Sequence, residues 1–226
     1  VRLAGFKEWG GHGMKIGKPV TAVLFAMGRG PVMLYHGQEV GEPAAGVAGF
    51  SGDNARTSIF DYCSMPEFTK WVNGGAFDGG RLSGEQKALR DWYGKLIRAI
   101  QVRAFTCGEF YGLNFTNKEN PAFGRVGDEP VSGHWLYAFL RRDKRTGHAF
   151  MIVANFHPSE TLSGVKVRVP EDARMFLGCS GGDPWTLSDR LDSDWSITVT
   201  PGVLECEGVE LPAMAPCSAL LLEIGG

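Results

Sequence analysis

The sequence predicts an α/β remnant at residues 1–103 followed by an all-β antiparallel sandwich at 104–226. Three observations carry that reading. Apolar residues recur at helical spacing between Lys15 and Met27 and are followed at once by an apolar strand-like run from Pro31. A second helical pattern, Leu82 to Ile100, is amphipathic over its whole length. After about Arg103 the helical period ends, and short β-like runs separated by turn residues take over.

In the first helix the apolar positions are Ile16, Val20, Val23, Leu24 and Met27, with Pro19 near the front, where a helix tolerates it. Gly28 and Gly30 stop the helix. The strand then begins at Pro31, because proline cannot sit inside a central strand. Val32 to Tyr35 form a continuous apolar run, as a strand covered on both faces requires. Gly37 and Gly41 bracket Gln38 and Glu39 at its carboxyl end, the end at which α/β sheets and barrels place ligands. A helix, a tight turn and a buried strand make the second half of a βαβ unit, whose first strand is not visible.

Residues 42–62 read as loop, dense in turn formers from Gly49 to Asn54, and 70–80 as another. Ser83 is the expected N-cap of the second helix, with Glu85 and Gln86 in its first turn. Leu89, Trp92, Tyr93, Leu96, Ile97 and Ile100 form its core face, and Lys87, Arg90, Asp91, Lys95 and Arg98 its solvent face. The expected strands are 109–115, 135–142, 149–156, 164–169, 195–200 and 218–224, with a hairpin connection at Asp143–Gly147.

Composition excludes several function classes. The net charge of −2, without a basic block, argues against nucleic acid. No apolar run approaches the ~20 residues of a membrane helix. The five cysteines are odd in number, widely spaced and without a Cys-x-x-Cys pair, which favours reduced thiols and a cytoplasmic location. The histidines show no metal-ligand spacing, and no cofactor is implied. Asn114-Phe115-Thr116 matches the glycosylation pattern and reads as chance.

The stretch Gly30-Pro31-Val32-Met33-Leu34-Tyr35-His36-Gly37-Gln38-Glu39-Val40-Gly41 resembles the eighth barrel strand of the α-amylase family of glycoside hydrolases. Arg56-Thr57 resembles the arginine-threonine segment that follows that strand, and the Leu82-Ser83-x-Glu85-Gln86-Lys87-Ala88-Leu89 opening resembles the last barrel helix. The second half resembles the β-sandwich that follows the barrel, including a strand ending Val153-x-Asn155-Phe156 and a last strand after Leu211-Pro212. The resemblance implies the last helix-strand-helix of a TIM-type barrel plus a C-terminal β-sandwich. The implied activity is a retaining glycosidase or transglycosylase acting on α-glucans or malto-oligosaccharides.

Retaining glycosidases need two carboxylates about 5 Å apart. In the family these sit on the fourth and fifth strands, with a further Asp in an Asn-His-Asp motif at the seventh. No Asn-His-Asp occurs here, so the chain reads as a C-terminal fragment without catalytic residues and is expected to be inactive alone. Glu39 and Asp61 form the sharpest candidate pair. A loop role for Glu39 and a turn role for Asp61 are the preferred reading. Gln38, Glu39, Arg56, Asp61 and Trp185 are the residues assigned to substrate binding in an intact enzyme. Among the tryptophans, Trp185 follows a Gly-Gly-Asp-Pro turn and is the best candidate for exposure, with core or partial burial the default for all of them. The alternative is a non-catalytic carbohydrate-binding or structural sandwich module. A fragment would expose the barrel-facing side of the Pro31 strand, so self-association is expected.

Overall fold

A computed structural model describes residues 3–5, 12–43, 65–178 and 182–225. It is mixed α/β, with one antiparallel six-stranded sheet and several helices. The chain divides into two compact units, Val1–Lys18 with Pro31–Gly94, and Pro19–Gly30 with Lys95–Gly226.

The first unit is helical. Short 3-10 turns at Leu3–Gly5, Gly13–Ile16, Gln38–Val40 and Asn73–Gly75 accompany the helices α1 (Gly17–Met27), α2 (Pro66–Val72) and α3 (Gly84–Ala99). Both α1 and α3 run on into the second unit. In α3 the expected face is the buried one: Leu89, Trp92, Tyr93, Leu96 and Ile100 are all inaccessible to solvent. In α1 the buried stripe is Val20, Ala22, Phe25 and Ala26, while Leu24 is 62% exposed, so the face is rotated from the expected one.

Pro31–Tyr35 is not a buried strand. The segment is extended but has no ladder partner among the described residues, and Val32 and Met33 are exposed at 45% and 82%. The physical reason is that a strand is defined by its neighbours, whose N–H and C=O groups complete the ladder. An apolar run reads the same whether or not such neighbours exist.

Besides its parts of α1 and α3, the second unit contains α4 (Arg103–Thr106), β1 (Glu109–Gly112), α5 (Asn114–Asn117), β2 (Leu136–Arg142), β3 (Ala149–Asn155) and β4 (Lys166–Val167). It continues through α6 (Glu171–Phe176), β5 (Trp185–Asp189), β6 (Ser196–Val199), α7 (Pro201–Cys206), β7 (Val209–Glu210) and β8 (Ser218–Gly225). The large sheet has the order β1-β2-β3-β8-β5-β6, with every pair antiparallel. Strand β8 lies between β3 and β5, with Leu222 opposite Met151 on one side and Asp189 on the other.

One face of this sheet, with Leu136, Leu140, Met151, Val153, Leu187 and Leu222, joins a core that also holds Val167 of β4 and Val209 of β7. Those two strands pair as a separate two-stranded sheet, and Ala173 of α6 and Leu204 of α7 complete the layer. The expected 164–169 strand is therefore reduced to two residues, while β5 and β7 were not expected at all.

Asparagine side chains do strand work around β4. Asn117 Oδ1 accepts from Arg168 N–H at 2.9 Å and its Nδ2 donates to Arg168 O at 3.0 Å, as a ladder neighbour would. Asn120 Nδ2 donates to Lys166 O at 2.8 Å. Asn114 makes the same two-sided contact with β2, donating to Leu136 O and accepting from Ala138 N–H at 2.8 Å each. Its amide is thus committed to the fold, in keeping with the reading of the Asn114 sequon as chance.

Arg141, in β2, is 1% exposed and has no ion-pair partner among the described residues. Its guanidinium donates instead to the carbonyls of Ala104 (3.1 Å), Phe105 (3.1 Å), Gly108 (2.9 Å) and Met27. These are carbonyls at the C-terminal ends of α4 and α1, which lack partners within their own helices and attract a cation.

Candidate functional site

The candidate site is the turn at Gly37–Gly41 in the first unit. Gly37 (φ 84°) and Gly41 (φ 72°) both lie in the left-handed region, where side chains are strained. Gly41 has a second reason to be glycine, since a Cβ there would lie 2.4 Å from Met14 Cβ. Between them the chain makes one 3-10 turn. Gln38 N–H donates to Tyr35 O at 2.9 Å, Gly41 N–H to Gln38 O at 3.1 Å, and Glu42 N–H to Gly37 O at 2.9 Å.

The side chains of this turn are tied to the helices. Gln38 Nε2 donates to Tyr93 Oη at 3.0 Å, and that hydroxyl points on to Gly17 O at 3.4 Å. Glu42 is 1% exposed, and its carboxylate accepts from the N–H groups of Glu67 (2.9 Å) and Phe68 (3.1 Å). It therefore caps α2, whose own N-cap position is Met65 and has no side chain able to do so. Gln86 Nε2 donates to Val40 O at 3.0 Å and Glu67 Oε2 at 2.6 Å. A cavity of about 10 Å³ lies beside the turn, lined in part by Tyr35, Gln38 and Glu42, with room for about one water molecule.

Of the residues assigned to substrate binding, Gln38 and Glu39 sit together here. The Gln38 amide is engaged by Tyr93. Glu39 is half-buried and its Oε2 has no hydrogen-bond partner. A loop role in which Glu39 bonds backbone amides thus finds no donor for this oxygen. Arg56 and Asp61 lie outside the described residues, so a Glu39–Asp61 pair cannot be placed.

Trp185 requires a correction. It is 3% exposed and belongs to the core of the second unit, in β5 opposite Val199. The pleat of β5 turns the ring inward, putting Trp185 and Leu187 on the core face and Thr186 and Ser188 on the other. No stacking surface is left there for a sugar. Four other ring-bearing side chains among the described residues are engaged as well. Trp71 carries the Arg90 guanidinium 3.6 Å above its ring, and Trp135 packs edge-on against His134 and His157. His36 is in ring contact with Tyr35 and Phe68. Tyr111 donates to Asp172 at 2.6 Å; burial first, and then that carboxylate, push its hydroxyl up to about 12.

Sequence reasoning missed Tyr93 and Gln86 as parts of this turn. Tyr93 was visible as a core-face residue of α3, and Gln86 stands three positions after Ser83, the spacing of a capping box. Neither signal names a partner about fifty residues away. Among the described residues no group of three or more His, Cys, Asp or Glu side chains could hold a metal ion. Likewise, no helix is long and apolar enough to cross a membrane. No family model, curated protein or solved structure matches the chain.

Proposed function

We infer that this chain is the C-terminal part of an α-amylase family glycoside hydrolase or transglycosylase, the part that follows the catalytic carboxylates. On this reading the intact enzyme acts on α-glucans by retaining double displacement, with both carboxylates supplied by preceding strands. Residues 1–103 would hold the last helix-strand-helix of the barrel, with Pro31–Tyr35 completed as a strand only beside preceding ones, and residues 104–226 the C-terminal sandwich.

The observation that carries the reading is the Gly37–Gly41 turn. The resemblance is to the eighth barrel strand and the Gly-Gln-Glu-x-Gly turn that ends it; of these, the two bracketing glycines adopt the left-handed backbone that makes glycine necessary there. Further support comes from Ser83, which caps α3 as the family-like opening of that helix suggests, and from the antiparallel sheet that follows. A Glu39 oxygen without a hydrogen-bond partner among the described residues, and an extended segment from Pro31 without a ladder partner among them, fit a segment that borders strands of a larger barrel. The binding-module alternative loses support with the burial of Trp185, its named stacking residue.

The test is the coding sequence upstream of Val1. An Asn-His-Asp within a few codons is expected, and a start codon directly before Val1 would overturn the reading. The purified chain alone is expected to release no reducing sugar from starch.

A further inference from the structure

Two open grooves in the second unit meet at one ion pair. The first, of about 310 Å³, has Ala99, Val102 and Phe150 among its lining and carries Lys95 and Arg98. The second, of about 470 Å³, is lined by Thr146, His148, Thr186 and Ser188. Arg190 and Glu223 line both, with Arg190 Nε 2.6 Å from Glu223 Oε2. Lys95 and Arg98 line the first groove and the hydroxyls the second, with the Arg190–Glu223 pair shared between them.

The polar groups are unevenly committed. Arg98 has no carboxylate partner among the described residues, and Lys95 only an exposed one, Asp192 at 3.3 Å. An exposed pair of that kind contributes little and re-pairs readily with an incoming anion. In the second groove the hydroxyls are ordered in cross-strand pairs, Thr186 with Thr198 at 2.9 Å and Ser188 with Ser196 at 3.0 Å. Each hydroxyl retains bonding capacity for a ligand, since it can both donate and accept. Glu223 is an acceptor for ligand hydroxyls and repels a bound anion, which sorts the two ends of any ligand by charge.

The geometry points to a binding site for a hexose monophosphate, its phosphate over Arg98 and Lys95 and its hydroxyls along Glu223, Ser188 and Thr186. The fork of arginine suits phosphate oxygens, and the carboxylate and hydroxyls suit a polyol. The site takes no residue from the Gly37–Gly41 turn, so it stands or falls separately from the α-glucan reading.

Calorimetric titration of the full chain with glucose 6-phosphate, inorganic phosphate, glucose and maltoheptaose tests it. Glucose 6-phosphate is expected to bind in the millimolar range or tighter, and at least about tenfold more tightly than phosphate or glucose alone. Arg98→Ala should weaken it about tenfold, as loss of a charge-assisted contact does. Thr186→Val should weaken glucose 6-phosphate while leaving phosphate binding unchanged. Added salt should weaken binding, because the cations are exposed. No binding at about 10 mM ligand would overturn the inference. So would phosphate binding as tightly as the sugar phosphate, competition by maltoheptaose, or wild-type affinity in a folded Arg98→Ala chain.

Discussion

Asp143 closes the hairpin between β2 and β3 with its own side chain. Its carboxylate accepts from Thr146 Oγ1 (2.8 Å), Arg145 N–H (3.3 Å) and Arg103 Nε (2.9 Å). Burial pushes this carboxyl up, but the three donors and the charge of Arg103 outweigh it and hold the group below the usual carboxylate range. Asp78 is lowered too, first by Asn73 and then by Gly80 N–H. A carboxyl lowered in the folded state stabilises the fold at pH values above its unfolded value and ceases to do so as pH falls through the folded one. Stability should therefore decline as pH drops below about 4. Asp143→Asn should be less stable than the parent at pH 7 and converge with it in acid, which urea denaturation at a series of pH values would reveal. Parallel curves at all pH values would sink the assignment. Arg141 shows the opposite balance, with burial first and Arg29 second lowering its pKa, while its hydrogen bonds among the described residues go to backbone carbonyls.

Helix α3 shows how a local signal becomes a long-range contact. Ser83 and Gln86 form a reciprocal capping box: Gln86 N–H donates to Ser83 Oγ at 3.2 Å, and Ser83 N–H to Gln86 Oε1 at 3.0 Å. Ser83→Ala should cost about 1 kcal/mol, the usual loss of an N-cap. Gln86→Ala should cost more, about 2 kcal/mol, because Val40 O and Glu67 Oε2 lose a buried donor as well. Equal costs in thermal or urea unfolding would mean that the bond from Gln86 to the turn contributes nothing. The cap and the buried face of α3 were legible in the sequence because both depend on neighbours within a turn or two. The strands β2, β3 and β8 were legible to within a residue or two at each end, since long apolar runs bounded by turns leave few alternatives. Trp185 was not, because its exposure is decided by β6 and β8, which lie later in the chain. For the same reason the Pro31 run could not be told from a strand, and of the candidate site the glycine-bracketed turn was visible but the Gln38–Tyr93 bond was not.

The buried core of the second unit depends on one late strand. Strand β8 holds both β3 and β5, two strands that otherwise have no contact in the sheet order. Deleting residues 218–225 should leave β1-β2-β3 and β5-β6 as separate ladders. Cooperative unfolding of that unit should disappear, as read by circular dichroism during urea titration. A sharp transition in the deleted chain would contradict this dependence. The strand order also bears on synthesis. A ribosome that has passed Asn155 but not reached Ser218 carries a chain with β3 already made and an open edge beside it. Every stalled or prematurely released product of that interval presents an unsatisfied ladder edge, a template for pairing with other nascent chains. Copies that end before Ser218 should thus aggregate more than copies that include β8, and the cell's burden from this protein would fall on chaperones that shield unfinished sheets.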